Sequence, residues 1–261
     1  MYTPTERDAY FQRTIDMLNV LPMVEGVVQL GSGVTGYKDE FSDIDLMIAT
    51  STEDEVIGVK DNIQQFYKDL NPVIIKEKQF SKNIYLLIVI LENSLEFNVS
   101  ILQRNSLSVR SPLWRIVLDK TGLVSEKMGK EDRSFSNKPV KYATFEDPVF
   151  EFVYCFIRLD KELKRHNFVY ALKMLESMRD YTLIVQALNE DKKLHQFKAY
   201  DSLNSDFLKK YLSTYPQYIT CDSLVESALL LKELFIHTVM RSSIYILDDS
   251  LLELLKQKNP A

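Results

Sequence analysis

The chain has 261 residues, 46% of them hydrophobic and 26% charged, with a formal net charge of −5. That length allows one or two domains with cores of their own, and the acidic balance argues against a nonspecific nucleic-acid binder, which would present a basic face. The N-terminus, Met1 to Asp8, has no basic-then-apolar leader, and the longest apolar run, Ile84 to Leu91, is too short to span a bilayer, so the expectation is a cytoplasmic protein without membrane contact.

In chain order, Thr3-Pro4-Thr5-Glu6 matches a capping box with proline at the first helical position and opens a helix to about Leu18. Strands are expected near 26–30 and 43–49, then a helix from about Glu53 to Leu70, closed by Asn71-Pro72. The apolar run Ile84 to Leu91, the turn Glu92-Asn93-Ser94 and the alternating segment Leu95 to Ile101 read as a hairpin. Arg115 to Leu118 reads as a further strand, ending in the turn Asp119-Lys120-Thr121-Gly122. From Ser125 to Phe145 the chain is polar and charged and includes Gly129, Asn137 and Pro139, which predicts a linker. Asp147-Pro148 then caps a helical half in which Val149, Phe150, Val153, Tyr154 and Ile157 recur at helical spacing, as do Ala171, Leu172, Leu175, Met178 and Leu183. These predict a bundle core. Lys173, Glu176 and Arg179 fall on one helical face and read as a solvated charge stripe, the alternative being that some of them reach the cleft. Cys155 and Cys221 lack any CxxC spacing and read as buried thiols in a reducing compartment, and His166, His195 and His237 are isolated and take no role.

Chemistry concentrates between Val27 and Ile48. An apolar strand runs into Gly31-Ser32, a turn whose missing side chains let backbone N–H groups and one hydroxyl approach a phosphate. The next strand alternates, so Asp43, Asp45 and Met47 share one face and Ile44, Leu46 and Ile48 the other. Two carboxylates held that close repel unless a divalent cation neutralises them, and hard oxygen ligands suit magnesium bridging to substrate phosphates. The same parity argument finds a third acid. Glu96, Asn98 and Ser100 share the polar face of the second hairpin strand, and Glu96 is the one carboxylate there. The plain alternative for Glu96 is a solvated strand face, and Asn98 and Ser100 read as structural.

Gly-Ser, a ten-residue spacer, Asp-x-Asp between apolar residues and a later strand carboxylate resemble the nucleotidyltransferase superfamily that includes DNA polymerase beta. More narrowly, Leu30 to Ile48, Glu96-Phe97-Asn98-Val99 and Arg115 to Gly122 look like segments of bacterial lincosamide nucleotidyltransferases and, more loosely, of aminoglycoside 6-adenylyltransferases. Leu163 to Leu172 and Leu208 to Phe235 resemble the helical domain of the same enzymes, so the likeness covers nearly the whole chain.

The resemblance implies an α+β protein: a mixed-sheet nucleotidyltransferase domain over residues 1–140 and an all-α helical bundle, the acceptor-binding domain, over 141–261, with the active site between them. It assigns Gly31 and Ser32 to the nucleoside triphosphate, ATP by default, and makes Asp43 and Asp45 magnesium ligands. Glu96 takes the third acidic position, as general base for the acceptor hydroxyl or as a further metal ligand. The implied reaction moves a nucleotidyl group, AMP by default, to a hydroxyl of a small molecule such as a lincosamide or aminoglycoside antibiotic. Two rival readings stay open: a nucleotidyltransferase toxin or regulator acting on a protein or RNA, and a nucleotide-binding protein without catalysis. The acceptor, the nucleobase and the oligomeric state are not fixed by these residues.

Overall fold

The structure is a computed structural model, and it describes residues 1–36, 41–142, 146–194 and 199–257. The chain divides into two compact units, Met1–Pro139 and Val140–Ala261. The protein is α+β.

The first unit runs α1 (Pro4–Val20), β1 (Val24–Leu30), a turn of 3-10 helix at Gly31–Thr35, β2 (Ile44–Thr50), α2 (Glu55–Lys68), β3 (Pro72–Ser81), β4 (Ile84–Leu91), β5 (Glu96–Gln103), β6 (Trp114–Asp119) and α3 (Leu123–Ser136). Its six strands form one sheet in the order β3-β4-β5-β2-β1-β6. The β2–β5 pair is parallel and the other pairs are antiparallel, so the sheet is mixed. The capping box forms as expected: Thr3 Oγ1 accepts from the Glu6 N–H at 3.2 Å, and Glu6 Oε2 accepts from the Thr3 N–H at 2.7 Å. Such a cap stabilises a helix start by about 1 kcal/mol.

One face of the sheet carries the core. Val27, Ile44, Leu46, Ile48, Leu87, Val89, Phe97, Val99 and Ile101 are fully buried in one cluster with Leu18 of α1 and with Val56, Val59, Ile63 and Tyr67 of α2. Phe97 anchors it, with the Tyr67 ring at 4.9 Å and the Tyr10 ring edge-on at 6.4 Å. The other face is covered differently. At the β1–β6 end α3 lies so close that a Cβ on Gly26 would sit 2.7 Å from the Leu118 carbonyl oxygen and 2.8 Å from Val124 Cγ2, so that contact requires glycine. Trp114 Nε1 donates to Asp132 Oδ1 at 3.0 Å and fastens β6 to the same helix.

Two expectations fail here. The first part of the segment expected to be a linker is instead the body of α3, which buries Val124, Met128 and Phe135 and is laced by the Lys130–Glu126 and Lys127–Glu131 pairs at 2.6 and 2.7 Å. Its three anchors are too sparse among charges to show as a periodic pattern, and Gly129 adds to the disguise. The second is β3, which follows Asn71 and was not expected. As an edge strand it leaves Val73, Ile74 and Phe80 exposed, so its sequence shows no inside-outside alternation, and Lys76 and Lys78 guard the open edge.

The second unit is helical among its described residues: α4 (Pro148–Lys164), α5 (Phe168–Asn189), α6 (Ala199–Ser202), α7 (Ser205–Ser213), α8 (Cys221–Met240) and α9 (Asp249–Gln257). Asp147 Oδ1 accepts from the Val149 and Phe150 N–H groups and caps α4. The main core gathers Phe152, Phe156, Leu159, Leu175, Met178, Leu231 and Phe235, with the Phe152 and Phe235 rings stacked. Cys155 is buried, and burial pushes its thiol up to about 11; Cys221 is half-buried, and neither is held in a disulfide among the described residues. Lys173 and Glu176 pair in solvent at 2.9 Å, as a charge stripe would. Arg179 departs from it. It is buried, donates to the Thr214 carbonyl at 2.7 Å and lies 4.1 Å from the Tyr215 ring centre, which ties α5 to the end of α7. His195 lies outside the described residues. Among the described residues no helix is long and apolar enough to cross a membrane.

Candidate active site

The face of the sheet opposite Phe97 holds the carboxylates. Asp45, in β2, stands directly beside Asn98 of β5 in the parallel register and opposite Leu30 of β1, the last residue before Gly31. Glu96 opens β5 two residues before Asn98, and Asp43 immediately precedes β2. Strand alternation therefore turns Asp45, Asn98 and Glu96 away from the main core, and all are half-buried, as is Asp43. The backbone before Asp43 is held from a distance: the hydroxyl of the buried Tyr2 donates to the Ser42 carbonyl at 2.9 Å.

The three acids feel one another. Burial, then the charges of Glu96 and Asp45, push the Asp43 carboxyl up to about 6. Burial also raises Asp45, with the Glu96 charge adding to it and a hydrogen bond from the Asn98 amide acting in the other direction. Asn98 Nδ2 donates to Glu96 Oε1 at 3.0 Å. Asn98, expected to be structural, is thus the polar link between two of the acids. Its place on their face was readable from parity, but its amide had no partner in the sequence alone.

Asp43, Asp45 and Glu96 have no ion pair to Lys or Arg among the described residues. Concentrated carboxylate charge without a cationic side chain is the donor set a hard dication fits. The three do not close into a finished ligand set, for no group of three or more His, Cys, Asp or Glu side chains among the described residues is arranged to hold a metal ion.

The Gly31-Ser32 turn differs in detail from the expected cradle. The Gly31 N–H donates to the Leu113 carbonyl at 3.2 Å, so it is engaged within the fold. Gly31 serves by what it lacks: at φ +70 its Cβ would sit 2.5 Å from Asp45 Oδ2, so glycine leaves room for that carboxylate. Ser32 follows with an exposed side chain, in the first turn of the 3-10 helix. Tyr37 to Glu40 lie outside the described residues.

Two predictions arise from this geometry. Gly31→Val is expected to destabilise the protein by about 1–3 kcal/mol, the usual cost of a β-branched residue at positive φ, and to displace Asp45. A thermal melt together with a nucleotide titration checks it, and normal stability with normal binding would mean the contact is absent. The second concerns Asp43. A carboxyl whose folded pKa lies above its unfolded 3.8 opposes folding once ionised, so this part of stability is present at low pH and is lost as pH rises from 3.8 through about 6. In the presence of a chelator, Asp43→Asn should therefore melt above wild type at pH 7, and the gap should vanish near pH 4. An equal gap at both pH values would contradict the assigned cause.

A family model described as streptomycin adenylyltransferase matches residues 10–241. Among solved structures, an aminoglycoside 6-adenyltransferase from Bacillus subtilis is 12% identical, with 98% of this chain and 97% of that one covered and a TM-score of 0.42. A nucleotidyltransferase-like protein from Exiguobacterium sibiricum is 11% identical, with 97% and 87% covered and a TM-score of 0.39. No curated protein matches the chain.

Proposed function

The chain belongs to the streptomycin adenylyltransferase family and is a nucleotidyltransferase, and from that premise we propose that it transfers AMP from ATP to a hydroxyl of a small aminoglycoside-like or lincosamide-like antibiotic. The observation that carries the reading is the grouping of Asp43, Asp45 and Glu96 on one sheet face beside the Gly31-Ser32 turn.

In this reading Asp43 and Asp45 hold magnesium, which when bound supplies charge neutralisation for the phosphates. The Ser32 hydroxyl and the N–H groups that follow it hold the triphosphate. Glu96 Oε2, the oxygen that Asn98 leaves free, takes the proton of the acceptor hydroxyl. The hydroxyl oxygen attacks the α-phosphorus, a P–O bond forms to the acceptor, and the bond to pyrophosphate breaks. Asn98 keeps Glu96 turned toward Asp45 throughout, which limits the side-chain freedom a base would otherwise lose on reaching the substrate.

Mass spectrometry of a panel of aminoglycosides and lincosamides, incubated with the protein, magnesium and either ATP or GTP, tests the proposal. An AMP mass shift on one class is the expected result. A shift with GTP alone would replace the nucleotide assignment, and no shift on any hydroxylated antibiotic, with pyrophosphate release on a protein or RNA instead, would replace the acceptor.

A further inference from the structure

The helical unit contains a cavity of about 700 Å³ bordered by α5, α7 and α8. Two cations and an imidazole reach it: Lys210 from the last turn of α7, and His237 and Arg241, one helical turn apart at the end of α8. Among the described residues none of these three side chains has a hydrogen bond, ion pair or ring contact. The end of α8 favours positive charge through its dipole, which accounts for Arg241 at that end but not for Lys210 meeting it from another helix.

The acids nearby do not neutralise this cluster. Glu190 is already engaged, accepting from Lys192 Nζ at 2.7 Å, Gln186 Nε2 at 2.6 Å and the Asn204 N–H at 2.9 Å. Asp206 is exposed, with Lys209 at 4.0 Å. A second kind of group also borders the cavity. Asn189 Nδ2 donates to the Thr238 carbonyl at 3.0 Å, which fixes the amide's orientation, and its Oδ1 is buried with no hydrogen-bond partner. An unmet buried acceptor calls for a donor. Phe207 and Leu234, both buried, supply the apolar part of the lining.

We infer that this cavity, lined by residues of the second unit, is a binding site for a hydroxylated organic anion, a phosphate ester or polycarboxylate of roughly monosaccharide size. Lys210 and Arg241, with an N–H of His237, take the anionic group, Asn189 Oδ1 accepts from a hydroxyl, and Phe207 and Leu234 face the carbon skeleton. The volume lies within the range of small-molecule sites, about 300–1,000 Å³, and exceeds what one inorganic ion fills.

The chain has three histidines, so the ring signals of histidine-labelled protein can be resolved by NMR and His237 assigned with His237→Gln. Ribose 5-phosphate or citrate is expected to shift the His237 signals saturably, and ribose is not. Arg241→Ala and Lys210→Ala should each weaken the effect about tenfold or more, since each removes a charge-assisted hydrogen bond. Both substitutions are on exposed side chains, and a thermal melt verifies the fold. The shift should persist in Asp45→Asn, which separates it from nucleotide-site binding. No saturable shift from either anion at about 10 mM, far above the affinity of a specific site, would overturn the inference. So would a shift that survives Arg241→Ala unchanged or disappears in Asp45→Asn.

Discussion

Asp45→Asn is expected to abolish nucleotidyl transfer while the protein still folds. Asp45 sits at the centre of the site, beside Asn98 across the β2–β5 ladder and against Gly31, with the Glu96 charge acting on it. An amide offers an oxygen of similar reach but no charge, and carboxylates hold a hard dication largely by charge. Folding should not suffer. Burial and Glu96 both raise the Asp45 carboxyl, so its ionised form is disfavoured in the folded protein and the neutral amide removes that penalty at pH 7. Pyrophosphate release and a melt with chelator present check the two halves together. Wild-type turnover would remove Asp45 from the site, and a collapsed melt would make its role structural.

Glu96→Gln is expected to cut turnover by about 10²–10⁴-fold, the range typical for loss of a general base, with the nucleotide KM nearly unchanged. The glutamine keeps an Oε1 that can accept from Asn98, so the 3.0 Å hydrogen bond and the start of β5 are preserved. What is lost is the charge on the second oxygen. If Glu96 were chiefly a metal ligand, magnesium and nucleotide binding would weaken together, and added magnesium would restore activity. Steady-state kinetics across a magnesium series distinguishes the two roles. Full rescue by magnesium would overturn the base assignment, and unchanged kinetics would take Glu96 out of the chemistry.

Residues close in sequence and regular in period were legible before the fold was known. The Thr3–Glu6 cap, the hairpin of β4 and β5, and the face shared by Asp45 and Asn98's neighbours follow from local rules, because strand parity and capping act over two to four residues. The reading failed where few anchors hold an element. β3 is an edge strand with little to bury, and α3 shows only Val124, Met128 and Phe135 among charges. In both, tertiary packing overrides a weak local signal.

The sequence by itself determined which residue types the protein has to work with: a Gly-Ser turn, paired acids two apart where one strand begins, and a third acid on a later one. Only the tertiary structure decided how they meet. The parallel pairing of β2 with β5 sets Asn98 beside Asp45, and no pattern within either strand specifies that register. It also decided that Gly31 makes room for Asp45 Oδ2 rather than lending its own N–H, which Leu113 takes. In the helical unit, Arg179 looked like a surface charge until Thr214 and Tyr215 closed over it, and Lys210, His237 and Arg241 were three unconnected basic residues until helix packing brought them to one cavity. Contacts between segments far apart in the chain depend on how whole elements bury their apolar faces, and that is settled by packing rather than by local spacing.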